Sequence, residues 1–190
     1  MINLARYRGF FGHFEALFPK VYRASASRGI TRRKLKVETV GAFEASFVPS
    51  QAEFDRLDER FRLPGRVWKC LSKYDGRGFA VFQIAAGTKK RVHPLGLSFR
   101  PMYTDFLFFP TVHVHDESVP PKEQFDHTLY GQIPRGWRPP NQWERSQSKP
   151  ETDRLPDFVL RSQPVFQKHL VGELPNQDHW LTSTGKILTD

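Results

Sequence analysis

The chain has 190 residues, of which 38% are hydrophobic, 26% charged and 14% aromatic. This globular composition excludes a collagen, a coiled coil and a wholly disordered chain. A domain of this length buries enough apolar surface to need neither a disulfide nor a metal for its core, and it is short for a TIM barrel.

The sequence shows no export signal. Arg6 and Arg8 interrupt the stretch where a secretory signal would be apolar. Apolar runs such as 106–110 are far shorter than the roughly 20 residues that cross a bilayer. The single cysteine, Cys70, favours a reducing compartment. We therefore predict a cytoplasmic protein without a transmembrane segment. Because a lone cysteine is usually a small buried side chain, we also predict that Cys70 is buried.

Positive charge is concentrated near the start of the chain. The net charge is +9, and residues 1–36 contain nine lysines or arginines and one acidic residue. The densest part carries Arg28, Arg32, Arg33, Lys34 and Lys36. Such a run can bind nucleic acid or another polyanion by phosphate attraction and counterion release. The alternative is a solvated loop that keeps the protein soluble.

The first third of the chain changes from a helical to a strand pattern and back. Apolar residues at three- and four-residue steps predict an amphipathic helix over 4–18. Twofold alternation predicts a strand over 35–48, with Phe43, Ala45 and Phe47 on one side. Next, the capping-box spacing of residues 50 and 53 predicts a helix. Its inner face carries Phe54, Leu57 and Phe61, and its acidic and basic residues, Asp58 among them, form a salt-bridged outer face.

A short helical turn over 67–71 is followed by a series of strands. We predict consecutive strands over 78–84, 91–99 and 106–116, and their short connections favour antiparallel neighbours. Alternation predicts a further strand over 124–133, for which the alternative is a helix. Residues 134–156 then lose all periodicity and are rich in Pro, Trp, Gln, Ser and Arg, which is typical of a long loop or surface arm.

These elements predict an α+β fold: a single domain dominated by antiparallel sheet, with an N-terminal amphipathic helix and a Pro-rich C-terminal arm. Its expected divisions are a core over 1–133, a Pro/Trp-rich arm over 134–157, and a C-terminal segment over 158–190 that docks on the core. In the arm, Trp137, Arg138 and Trp143 are candidate residues for binding a protein partner. The alternative is that they attach the arm to its own domain.

Histidines provide the densest chemistry. If residues 111–115 are extended, His113 and His115 point to one face, about 7 Å apart along the strand. They can then chelate a divalent metal ion when a neighbouring strand adds a third ligand, for which the candidates are His127, His93 and Asp116. The alternative is that these side chains hydrogen-bond carboxylates or main-chain carbonyls at strand ends.

Several stretches together resemble an uncharacterised family of bacterial proteins. They are residues 46–50, 54–58, 60–64, 78–82, 92–94, 108–116 and 125–130. The resemblance covers most of residues 3–132 and also 163–180. It implies a bacterial protein, a longer segment before the first helix than this chain has, and no particular activity. Where the family has a Gly and a further His after the His-x-His-Asp motif, this chain has Glu117 and Pro120.

The sequence favours a non-catalytic binding or interaction protein, because aromatic, irregular and basic segments supply surfaces while no catalytic signature is complete. The first alternative is a metal-dependent hydrolase or oxygenase that uses His113, His115 and His127, with Asp116 or Asp126 as a further ligand or base. The second is nucleic-acid or phosphate binding through residues 28–36.

Overall fold

The computed structural model describes residues 1–18, 37–84, 92–115, 118–150 and 154–189. These residues divide into two compact units. Unit 1 contains the described residues of 1–8, 37–98 and 118, and unit 2 contains those of 9–18, 99–115 and 119–189. The predicted arm and C-terminal segment fall in unit 2 wherever they are described, and the predicted division of the chain into core, arm and docking segment stays a prediction.

The fold class is confirmed: the described chain is α+β, with four small antiparallel sheets and few helices. The α-helices are α1 (Phe10–Glu15) and α2 (Gly65–Cys70). Short 3₁₀ helices cover Ala5–Tyr7, Gln51–Arg56, Glu59–Phe61 and Ser72–Tyr74. The strands are β1 (Ile2–Asn3), β2 (Glu38–Val40), β3 (Phe43–Val48), β4 (Phe79–Ile84), β5 (Leu95–Gly96), β6 (Phe106–Phe109), β7 (Lys122–Gly131), β8 (Glu144–Arg145), β9 (Phe166–Pro175), β10 (His179–Thr182) and β11 (Ile187–Thr189). No helix in the described ranges has the length and apolarity that a membrane crossing requires.

Unit 1 is built on the β2–β3–β4 sheet and a separate β1–β5 pair. A two-residue loop at 41–42 joins β2 to β3, and Gly41 takes the positive φ of 63° that such a tight turn favours. The prediction of a single strand over 35–48 is therefore wrong, since the described residues of this segment form a hairpin of two strands. The core of unit 1 consists of Val48, Phe54, Leu57 and Phe61.

Four further expectations for unit 1 need correction. The segment after β3 forms two 3₁₀ helices, and Ser50 makes no capping hydrogen bond with its side chain. Asp58 is fully buried and so does not belong to an exposed charged face. Phe47 is 65% exposed, although Ala45 on the same side of β3 is buried and its neighbours Ser46 and Val48 are buried as well. Cys70 is exposed, since α2 is short and buries only Val67.

Unit 2 is built on two three-stranded sheets, β7–β9–β8 and β11–β10–β6. The long β7–β9 ribbon pairs Lys122 with Pro175 at one end and Gly131 with Phe166 at the other. Its core includes Phe125, Val165, Phe166, Leu170 and Leu181, all buried.

Several elements of unit 2 differ from the predicted ones. The N-terminal helix is reduced to α1, because Gly9, a poor helix former, ends the preceding 3₁₀ turn and stands at the N-cap. Strand β6 ends at Phe109, since Pro110 cannot donate to a ladder. The described residues of the predicted arm, 134–150 and 154–156, contain one strand, β8, which pairs with β9. The weakly patterned C-terminus holds three strands.

Candidate metal centre

Two elements of unit 2 bring histidines together. Along β7, alternation places Glu123, Phe125 and His127 on one side of the strand. The segment that follows β6 carries His113 and His115 to the same place. Phe125 is buried, and its ring lies 4.7 Å from the His113 ring, so an apolar side chain packs against the cluster.

Residues 176–178 hold the His113 segment although it is not part of a strand. Asn176 accepts the backbone N–H of His113 through Oδ1 at 2.7 Å and donates from Nδ2 to the His113 carbonyl at 2.8 Å. The same Nδ2 donates to the Pro120 carbonyl at 2.9 Å. A single amide therefore substitutes for a ladder partner and also holds the chain that leads into β7.

A buried carboxylate fixes the residues before His113. Asp178, which is fully buried, accepts the backbone N–H groups of Thr111 and Val112 through Oδ1 at 2.8 and 3.2 Å. The Thr111 hydroxyl donates to the carbonyl of Gln177 at 2.7 Å. With its backbone donors satisfied in this way, the segment presents His113 from a fixed position.

The ring nitrogens of the cluster lie close together. His113 Nε2 lies 3.3 Å from His127 Nε2, and His115 Nε2 lies 3.4 Å from Glu123 Oε2. One ligand atom each from His113, His115 and Glu123 falls within 4.8 Å of the others. The other Glu123 oxygen, Oε1, accepts the backbone N–H of Gln124 at 2.8 Å, which leaves Oε2 directed at His115.

Two of these spacings, His113–His127 and His115–Glu123, match the edge length of a coordination tetrahedron. Zinc binds imidazole nitrogen at 2.0–2.1 Å and carboxylate oxygen at 2.0–2.2 Å, so neighbouring ligand atoms of a tetrahedral site are about 3.3 Å apart. Both short contacts of the cluster have this length. In the metal-free protein, the His113–His127 contact is a hydrogen bond only when one of the two Nε2 atoms carries a proton.

The surroundings of His113 favour its neutral form. Partial burial lowers the pKa of His113, the neighbouring His127 and His115 lower it further, and Glu123 opposes the change. A neutral imidazole is the form that binds metal.

The structure brings together some of the predicted ligands and adds one. The His113 ring lies 5.7 Å from the His115 ring and 4.8 Å from the His127 ring, and the role of these histidines as ligands stays a prediction. Asp116 lies outside the described residues. Glu123 was not predicted, because the expected strand began one residue after it. Glu123 precedes His127 by four residues, and residues an even number apart in a strand point to the same side. This spacing could have identified Glu123 as a candidate ligand.

His93 is not part of the cluster. It lies in unit 1, buried, where its Nε2 accepts the backbone N–H of Ala42 at 2.8 Å and its Nδ1 lies 2.7 Å from the Pro94 carbonyl. Both ring nitrogens are therefore used to fix the β2–β3 hairpin.

None of the three candidate partner-binding residues belongs to the histidine cluster. Trp143 is buried and packs on Phe109 at 5.3 Å, whereas Trp137 is half-buried and Arg138 is exposed. The candidate polyanion-binding residues all fall outside the described residues; they are Arg28, Arg32, Arg33, Lys34 and Lys36.

Comparison with known proteins adds no further constraint. No family model, no curated protein and no solved structure matches this chain.

Proposed function

We propose that this protein binds one divalent transition-metal ion, of the zinc type, through His113, His115, His127 and Glu123. The observation that carries the proposal is the pair of contacts at 3.3 and 3.4 Å, which already have the ligand spacing of a tetrahedral site. His113, His115 and Glu123 offer one ligand atom each within 4.8 Å of one another, and coordination of the ion by His127 as well requires the exposed side chains of His115 and His127 to rotate.

The set of donor atoms suits zinc and its neighbours in the first transition series. Imidazole nitrogen with one carboxylate oxygen favours these ions over calcium or magnesium, which prefer all-oxygen sites. Three neutral imidazoles and one carboxylate leave one net positive charge on the complex. The half-buried position of Glu123, whose side chain is 19% exposed, strengthens its attraction for the ion.

A site with four protein ligands supports a binding role and not catalysis. Four ligands complete the tetrahedron, whereas a catalytic zinc keeps one position for water. We therefore extend the proposal to a non-catalytic bacterial binding protein of the cytoplasm. The enzyme alternative requires water in place of His127. The protein partner and the binding of polyanions remain predictions.

Metal analysis of the protein without a histidine tag tests this function. After incubation with zinc and exhaustive dialysis, we expect about one equivalent of zinc in the wild type and less than about a tenth of that in a His113→Ala/His115→Ala double variant.

His169→Ala serves as the matched control. His169 is exposed on β9 and pairs with Thr128. Because Thr128 follows His127 directly along β7, the two side chains point to opposite sides of the strand. Removal of the His169 imidazole should therefore leave the zinc content unchanged. Zinc that is absent from a folded wild type, or retained in full by the double variant, would contradict the proposal.

A further inference from the structure

Unit 2 has a surface groove of about 580 Å³, wide open to solvent and called the cavity below, that contains none of the histidine cluster. The turn at 133–139 forms one wall with Trp137, residues 162–164 form another, and strands β8 and β9 contribute Arg145 and Phe166. This volume lies within the range of small-molecule sites, which is about 300–1,000 Å³.

Hydrogen bonds hold the two walls in place. Gln132 accepts the backbone N–H of Leu160 through Oε1 at 2.8 Å and donates from Nε2 to the Leu160 carbonyl at 2.7 Å and the Gln163 carbonyl at 3.3 Å. One side chain therefore ties the end of β7 to the loop that forms the opposite wall.

The other wall is fixed to the β10–β11 hairpin. The backbone N–H of Arg138 donates to the Ser183 carbonyl at 2.9 Å, and that of Asn141 donates to the Gly185 carbonyl at 2.9 Å. Gly185 has a φ of 78°, and a Cβ there would collide with the Pro139 carbonyl, so glycine is required for this close approach. The cavity is therefore a built feature of the fold.

The charge of the cavity is positive. Arg135 and Arg145 line it, and no acidic side chain does. Within the described ranges, neither arginine makes an ion pair or a side-chain hydrogen bond. Two guanidinium groups without counter-charges favour a phosphate, which they can bind through paired N–H donors.

The apolar part of the lining suits a flat ring. Trp137, Pro134, Pro139 and Pro164 all line the cavity, and planar heterocycles stack on aromatic and apolar side chains of this kind. Ser162 and Gln163 add hydrogen-bonding groups that can meet the polar edge of a base.

We propose that this cavity binds a nucleoside monophosphate, with the phosphate between Arg135 and Arg145 and the base against Trp137. The inference is independent of the metal site, because the two sites share no residue.

Calorimetric titration of the wild type with AMP, adenosine and inorganic phosphate tests the proposal. We expect AMP to bind with a dissociation constant below about 1 mM, and adenosine and phosphate to bind at least about tenfold more weakly, because each makes only part of the contacts. Raising the salt concentration should weaken AMP binding and leave adenosine binding nearly unchanged.

Variants connect the binding to the cavity. An Arg135→Ala/Arg145→Ala variant should lose at least about tenfold in AMP affinity. Arg138→Ala is the control, since Arg138 belongs to the same turn but does not line the cavity. Both arginines of the double variant are exposed, and circular dichroism checks that it remains folded. No AMP binding by the wild type at millimolar concentration, an equal loss in Arg138→Ala, or phosphate that binds as tightly as AMP would overturn the proposal.

Discussion

Among single residues, Asn176 has the largest influence on the candidate metal site without belonging to it. Its amide makes both backbone hydrogen bonds to His113 and a third to Pro120. Because the segment around His113 lacks a strand partner there, this side chain makes the hydrogen bonds to the His113 backbone that a neighbouring strand would make. Asn176 is therefore a positioning residue for the metal ligand.

We expect Asn176→Ala to weaken zinc binding by about tenfold or more, as loss of an outer-sphere hydrogen bond commonly does. Competition with a chromogenic chelator measures the change. Asn176→Asp, which can accept from the His113 N–H but cannot donate to either carbonyl, should give an intermediate affinity. Asn141→Ala provides a control at an exposed asparagine. If Asn176→Ala binds zinc as tightly as the wild type does, the hydrogen bonds of Asn176 do not position His113.

At the scale of elements, α1 attaches to β7 through one aromatic side chain. The Tyr130 ring lies 5.4 Å from the ring of Phe14, 6.1 Å from that of Phe18 and 6.4 Å from that of Phe11. This packing buries the Tyr130 phenol, which raises its pKa above 10, and the nearby Glu15 raises it further.

The raised pKa makes the stability of the protein fall at alkaline pH. Above pH 10 the unfolded chain loses the Tyr130 proton while the folded chain keeps it, so ionisation favours unfolding. The contribution of Tyr130 to the unfolding free energy is therefore complete below pH 10. It is lost as the pH rises through the higher pKa that Tyr130 has in the folded chain. Urea denaturation at pH 9 and at pH 10.5 should show a larger loss of unfolding free energy in the wild type than in Tyr130→Phe.

Tyr103→Phe is the control for this comparison, because Tyr103 is exposed on another segment. It should lose stability with pH as the wild type does. The same pH dependence in Tyr130→Phe and Tyr103→Phe would contradict the assignment to Tyr130.

At the scale of the whole molecule, the chain is organised as two units, each with a core of its own. Leu57 is fully buried in unit 1 among Val48, Phe54 and Phe61, whereas every proposed metal ligand lies in unit 2. We expect Leu57→Ala to lower the unfolding free energy by about 2–5 kcal/mol, because it leaves a cavity in a packed core.

Leu63→Ala, at a position that is 38% exposed, should cost less than about 1 kcal/mol in the same urea denaturation experiment. Under conditions where Leu57→Ala remains folded, its zinc affinity should equal that of the wild type. A small loss of stability in Leu57→Ala would contradict the burial of Leu57, and a large loss of zinc affinity would contradict the separation of the metal site from the core of unit 1.

The sequence predicts strands well where one face is clearly apolar, as it does for β4 and β7. It predicts the buried residues Phe54, Leu57 and Phe61 correctly, but not the 3₁₀ form of their segment, because burial depends on spacing more than on helix type. The strands after residue 157 escaped prediction since their apolar residues do not alternate regularly. Nonlocal pairing with β7 and β6 forms them.

The candidate site was only partly predictable for a similar reason. A His-x-His pattern brings His113 and His115 together from local geometry alone, and β7 alternation orients His127. Asn176 and Asp178 lie more than 60 residues from the segment they clamp, so no local pattern connects them to it. Where the fold replaces a strand partner with side chains, sequence periodicity carries no signal.

The most direct test of the metal site is X-ray absorption at the zinc edge of the zinc-loaded wild type. We predict a four-coordinate ion with nitrogen and oxygen ligands at about 2.0–2.1 Å and the multiple scattering of three imidazoles. His127→Ala should show two imidazoles and one added water oxygen. A spectrum of six oxygen ligands, or of zinc bound by the sulfur of Cys70, would contradict the account.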